Sequence, residues 1–164
     1  MSRNRIADLQ LRGSTSALPV RVYWPGQVTS QPAPLLVFCI VGAGADAWSS
    51  GFGVPGADAS CRGLSEDHGL VVLAVPCLTG AQDGTTVLEW AAEHAAELGA
   101  DPGRLLVAGQ GTGGAIAAAV ASQARAAGWP AVALAAGPDL SEAIRRILAR
   151  AMSKSAGQDR LSSE

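Results

Sequence analysis

The segment from Arg104 to Ala127 constrains the fold more than any other. An apolar run, Leu105-Leu106-Val107-Ala108, ends in Gly109-Gln110-Gly111-Thr112-Gly113-Gly114 and gives way to an alanine-rich stretch of helical character over 114–127. An uninterrupted apolar run suits a strand covered on both faces, the situation of a central strand in a parallel sheet. The glycines let the chain turn sharply enough for the next helix to fold back on that strand. The same reading recurs along the chain. Residues 35–41, 70–75 and 131–136 are further continuous apolar runs, while 5–12 and 20–24 alternate apolar and polar side chains as strands with one wet face do. Helical stretches at 56–67 and 85–98 lie between them, and Gly99 and Gly128 stand where helices commonly end in a left-handed residue. Strand and helix in alternation predict an α/β three-layer sandwich with a mostly parallel sheet of about six strands.

Composition narrows the function classes. Of the 164 residues 48% are apolar and the formal net charge is -2, which fits one globular domain and excludes both a disordered tail and the concentrated basic face of a nucleic-acid binder. No apolar stretch reaches the roughly 20 residues of a membrane span, and the first residues show no signal-peptide pattern. Cys39, Cys61 and Cys77 have neither metal nor disulfide spacing and read as buried thiols, so a cytoplasmic location is expected, with no metal and no cofactor. Glu89, Glu93 and Glu97 share one helical face, its solvated side. The organisation is a main unit over 1–138, followed over 139–164 by an amphipathic helix from Leu140 to Met152 and a frayed polar tail. Asp139 and Glu142 are placed as a capping box, with Ile144, Ile147 and Leu148 on one stripe.

Gly109-x-Gly111-x-Gly113 occupies the frame of the nucleophile elbow, G-x-S-x-G, in which a strained strand-to-helix turn exposes a serine oxygen. Here glycine stands at the serine position. The surroundings extend the match: Trp90 on a helix leads through Gly99-Ala100-Asp101-Pro102-Gly103-Arg104 into the strand and the glycine turn. Upstream, Val20-Arg21-Val22-Tyr23-Trp24-Pro25, Val41-Gly42-Ala43-Gly44 and Cys61-Arg62-Gly63-Leu64 continue it. Over roughly residues 5–138 the chain resembles the hormone-sensitive-lipase-like branch of the α/β-hydrolases.

That resemblance implies a truncated α/β-hydrolase fold of esterase or lipase ancestry, but not its chemistry. Such a hydrolase needs Ser, an acid and a His in chain order. Gly111 has no side chain, and the two histidines, His68 and His94, both lie upstream of it and read as surface residues. Asp139 follows Gly111 but reads as a helix cap. Thr112, beyond the apex, and Cys77 lack a neighbouring base and make poor substitute nucleophiles. The resemblance does place oxyanion donors at the backbone N–H groups of Ala43, Gly44 and Thr112, suited to a small acyl or carboxylate ligand. The expectation is a degenerate hydrolase that binds or assembles rather than catalyses; the alternative is an ester hydrolase with residual activity or completed by a partner. A nucleotide module is disfavoured: Gly109-x-Gly111-x-x-Gly114 matches the dinucleotide fingerprint, but the next apolar run ends Ala135-Ala136-Gly137 with no acid for a ribose. The strand order that the resemblance implies would leave the apolar run 131–136 as a bare sheet edge, so a homodimer or a protein partner is expected through that edge or the C-terminal helix, with no nucleic acid and no membrane.

Overall fold

The computed structural model describes residues 5–12, 17–26, 31–41, 57–77, 80–109, 111–137 and 139–161. Six strands form one sheet: β1 (Arg5–Arg12), β2 (Ala17–Trp24), β3 (Ala33–Ile40), β4 (Val71–Pro76), β5 (Ala100–Gly109) and β6 (Val132–Leu134). Its order is β1-β2-β4-β3-β5-β6. β1 and β2 pair antiparallel to their neighbours, and β3, β4, β5 and β6 run parallel. Four helices cover it: α1 (Ala57–His68), α2 (Ala81–His94), α3 (Thr112–Ala127) and α4 (Leu140–Leu161). The three-layer α/β architecture expected from the sequence is therefore the one found.

Alternation along the strands builds the layers, because successive side chains leave a strand on opposite faces. Leu35, Val37 and Cys39 on β3 join Leu73, Val75, Leu105 and Val107 under α2 and α3. Leu36, Phe38 and Ile40 join Val72, Ala74, Leu106 and Ala108 under α1 and α4. Both faces of β3, β4 and β5 are thus buried, which is why these strands read as unbroken apolar runs.

Boundaries differ from the sequence reading where tertiary contact overrides local preference. β5 begins at Ala100 rather than Leu105, since Ala100 pairs with Ala33 across an irregularity in the β3–β5 ladder. Asp101 holds this turn: it accepts from the Gly103 N–H at 2.8 Å and from Arg104 Nε at 3.2 Å, while Arg104 also donates to the Pro32 carbonyl. α2 begins at Ala81 and spans Gly84, and α3 begins at Thr112, two residues before the expected start at Gly114. Glycine disfavours a helix interior by about 1 kcal/mol, and at Gly84 and Gly113 close packing requires it. A Cβ on Gly84 would sit 2.7 Å from Val120 Cγ2. β6 spans only Val132–Leu134 of the longer apolar run.

The last helix also departs from expectation. α4 runs to Leu161, where a polar tail was expected to fray after Met152. Long unbranched polar residues such as Lys, Gln and Arg lose little freedom in a helix, so a polar stretch can keep a helical backbone. Asp139 caps α4 through Oδ1, which accepts from the Glu142 N–H at 3.1 Å; Glu142 itself turns to Arg146 Nη2 at 3.1 Å. Ile144 is fully buried, and Ile147 and Leu148 pack against the same cluster.

Candidate functional site: a glycine elbow at the switch point of the sheet

The strand order reverses at β3. From β3 the chain crosses through α1 to β4 on one side, then through α2 to β5 on the other. In open α/β sheets the crevice beyond the carboxyl ends of such strands is where ligands bind. Cys39 lies in register with Gly109 and with Val75, so the chain ends leaving β3, β4 and β5 converge on this crevice.

Gly111 is the apex, with φ 57° and ψ -123°, directly before the first turn of α3. That backbone region strains any residue with a Cβ. Space is not the obstacle, because a Cβ there would meet no heavy atom within 4 Å. Its flanking glycines are the reverse. A Cβ on Gly109 would run into the backbone carbonyl of Gly113, and one on Gly113 would run into the carbonyl oxygen of Cys39. The turn is locked further by the Gly114 N–H, which donates to the Gly111 carbonyl at 3.0 Å. Among the described residues this is the strand-turn-helix frame of an elbow, and its exposed tip carries a hydrogen.

Thr112 opens α3 on the exposed side of the elbow, where the unpaired N–H groups of a first helical turn favour a negative ligand atom. Ala43 and Gly44 lie outside the described residues. Val41, the last described residue before them, packs against the core beneath α2 and α3. Neither histidine approaches the apex. His94 stacks on Trp90 at 4.6 Å between ring centroids, and its Nδ1 lies 2.9 Å from the Trp90 carbonyl. His68 ends α1 with Nε2 3.3 Å from Ser141 Oγ on α4; burial, aided by Arg145 and opposed by Asp67, lowers its pKa.

The other residues of the resemblance do structural work. Trp24 donates Nε1–H to the Leu98 carbonyl at 2.9 Å while Arg5 lies 4.2 Å above its ring. Tyr23, wholly buried, donates to Asp58 at 2.8 Å, and Arg62 holds the other carboxylate oxygen at 2.7 Å. Burial raises the Asp58 pKa, but the hydrogen bonds from Arg62 and Tyr23 outweigh it and leave the group below its ordinary value. Sequence reasoning missed one feature of the crevice floor. Cys39 and Cys77, on neighbouring strand ends, meet under Gly84: its absent Cβ would stand 3.4 Å and 3.8 Å from their sulfurs.

A mostly parallel sheet with the order β1-β2-β4-β3-β5-β6 and a strand-elbow-helix at β5–α3 defines the α/β-hydrolase class, and the α/β hydrolase fold family model matches residues 51–155. The chain belongs to that family, in its hormone-sensitive-lipase-like branch. It is 37% identical over 121 residues to the carboxylesterase NlhH of Mycobacterium tuberculosis, a match covering 69% of this chain and 36% of that protein. It is 30% identical over 136 residues to the esterase LipI of the same organism, covering 78% and 41%. Among solved structures it resembles the Pyrobaculum calidifontis esterase, with a TM-score of 0.63 and 27% identity over 77% of this chain and 42% of that one. A thermostable esterase from Pseudomonas putida gives 0.64 and 26% over 80% and 42%. The chain thus spans less than half the length of each of these relatives. Among the described residues no helix is long and apolar enough to cross a membrane.

Proposed function

We propose that this chain is a hydrolase-fold protein that binds a small acyl or carboxylate group at the elbow and does not cleave esters. The observation that carries this reading is Gly111: the apex has the strained backbone of a nucleophile position, open space above it and no side chain. This holds wherever the protein begins or ends, because further chain cannot put a hydroxyl on a glycine. Loss of a nucleophile of this kind lowers turnover by on the order of 10⁶. An anion would be met by backbone N–H groups of Thr112, Ala43 and Gly44 together with the positive end of α3. The alternative, an esterase completed by a partner, would need that partner to bring the nucleophile as well as the base.

The three free cysteines support a reducing, cytoplasmic setting. β6 bounds the sheet among the described strands, and its outer N–H and C=O groups favour pairing with a second copy or another protein, which α4 would flank. Butyrate titrated into labelled protein tests the binding site. Shifts confined to residues 42–46 and 109–115 are expected; a ligand mapped elsewhere overturns the assignment. Light scattering at high micromolar concentration tests assembly, with a dimer expected and a stable monomer against it.

A further inference from the structure

Cys39 is the last residue but one of β3, and Cys77 directly follows β4, the strand paired parallel to β3. The register sets Cys39 opposite Val75, and Cys77 lies two residues further along, so both thiols leave the same face of the sheet. Both belong to the cluster under α2 and α3. The Cys77 N–H donates to the Ile40 carbonyl at 2.9 Å, which fixes the two strand ends against each other. Gly84 of α2 faces both sulfurs, which lie 3.4 Å and 3.8 Å from where its Cβ would be. Val120 Cγ2 closes the same space, 2.7 Å from that Cβ position, and both cysteines are buried.

We propose that Cys39 and Cys77 are an oxidisable dithiol, joined by hydroperoxide into a disulfide that ties β3 to β4 at the floor of the elbow crevice. Cys77 stands just outside β4 and two residues past the register partner of Cys39, so closing a bond of about 2.05 Å between the sulfurs draws Cys77 back toward β3. The thiols are not equivalent. Cys77 is 7% exposed and Cys39 1%. The Cys39 thiol donates to the Cys77 sulfur, which lowers the Cys77 pKa against its burial and raises that of Cys39. Cys77 is therefore the sulfur oxidised first, since the thiolate is the reactive form. Its thiolate attacks hydrogen peroxide: an S–O bond forms, the O–O bond breaks, and hydroxide leaves to take up the proton Cys77 had lost. The Cys39 sulfur then attacks the sulfenic sulfur: the S–S bond forms, the S–O bond breaks, and the departing oxygen leaves as water with the Cys39 proton. Two thiols are oxidised and one peroxide is reduced to two waters. Cys61 takes no part, being buried in the cluster on the opposite face of the sheet.

Wild-type protein treated with hydrogen peroxide, alkylated under non-reducing denaturing conditions and digested, tests this directly. The expected result is a peptide pair linked through Cys39 and Cys77, lighter by two hydrogens, restored by dithiothreitol, with Cys61 alkylated throughout. Cys39→Ser should instead leave Cys77 as a sulfenic acid trapped by dimedone, and Cys61→Ser should still form the link. Both Cys39 and Cys77 remaining alkylatable after peroxide, or a link that contains Cys61 or joins two chains, would overturn the proposal.

Discussion

The β5–α3 elbow and the β6–α4 edge belong to one sheet and are held by opposite means. At the elbow, backbone packs on backbone: Gly109 against Gly113, and Gly113 against the Cys39 carbonyl, with no room for a Cβ at either. At the edge, side chains do the packing: Leu140, Ile144, Ile147 and Leu148 of α4 lie over Leu106, Ala108 and Ala135. The elbow therefore demands particular residues at its flanks, whereas the edge demands only apolar volume. The apex is the exception within the elbow. Gly111 faces open space, so nothing in the packing depends on what its side chain would be. A chain can keep the strand-turn-helix frame of an elbow with no side chain at the apex, because the frame and the apex rest on different residues.

Substitutions at the elbow flanks should break this contrast first if it is wrong. Gly113→Ala must push a Cβ through the Cys39 carbonyl and should lower stability by about 3 kcal/mol or more, at the upper end of overpacking effects. Urea denaturation reads it, and a midpoint close to wild type would mean that the elbow is looser than described. Ile144→Ala should come next, with a loss of about 2–4 kcal/mol as a fully buried side chain on the α4 stripe is deleted. If that loss is below about 1 kcal/mol, α4 is not held by side-chain burial.

Gly111→Ala sharpens the comparison, since it meets strain without collision. The positive φ should cost about 1–2 kcal/mol, clearly less than Gly113→Ala, and equal losses would erase the distinction between apex and flank. The smallest effect concerns the α1–α4 contact at the edge. Burial lowers the folded-state pKa of His68 below the ordinary value of 6.5. The unfolded chain then takes up the proton more readily than the folded one, so this contribution is present above about pH 6.5 and is lost as pH falls below it. Wild type should lose stability more steeply than His68→Gln between pH 7 and about pH 5; parallel curves would contradict the assignment.

The central fold was legible because β3, β4 and β5 are buried on both faces, and burial of that kind writes itself as apolar runs. Helix starts were less so. Gly84 and Gly113 argue against helix locally, and only the approach of Val120 or of the Cys39 carbonyl explains why the helix includes them. The Asp101-Pro102-Gly103 stretch likewise reads as a loop until Ala100 is seen to pair with Ala33. In the site, the empty apex was visible from the glycine spacing alone. The meeting of Cys39 with Cys77 was not, because it depends on β4 lying beside β3, and strand order leaves no mark on the spacing of two cysteines.

The most direct test of the empty elbow is hydrolysis of short p-nitrophenyl esters by wild type and Gly111→Ser, measured side by side after confirming that both fold. Wild type should show no turnover above a denatured control, and Gly111→Ser should recover little, because neither His68 nor His94 lies where it could take the serine proton. Wild-type turnover that survives purification and is abolished by a serine- or threonine-directed inhibitor would contradict the account.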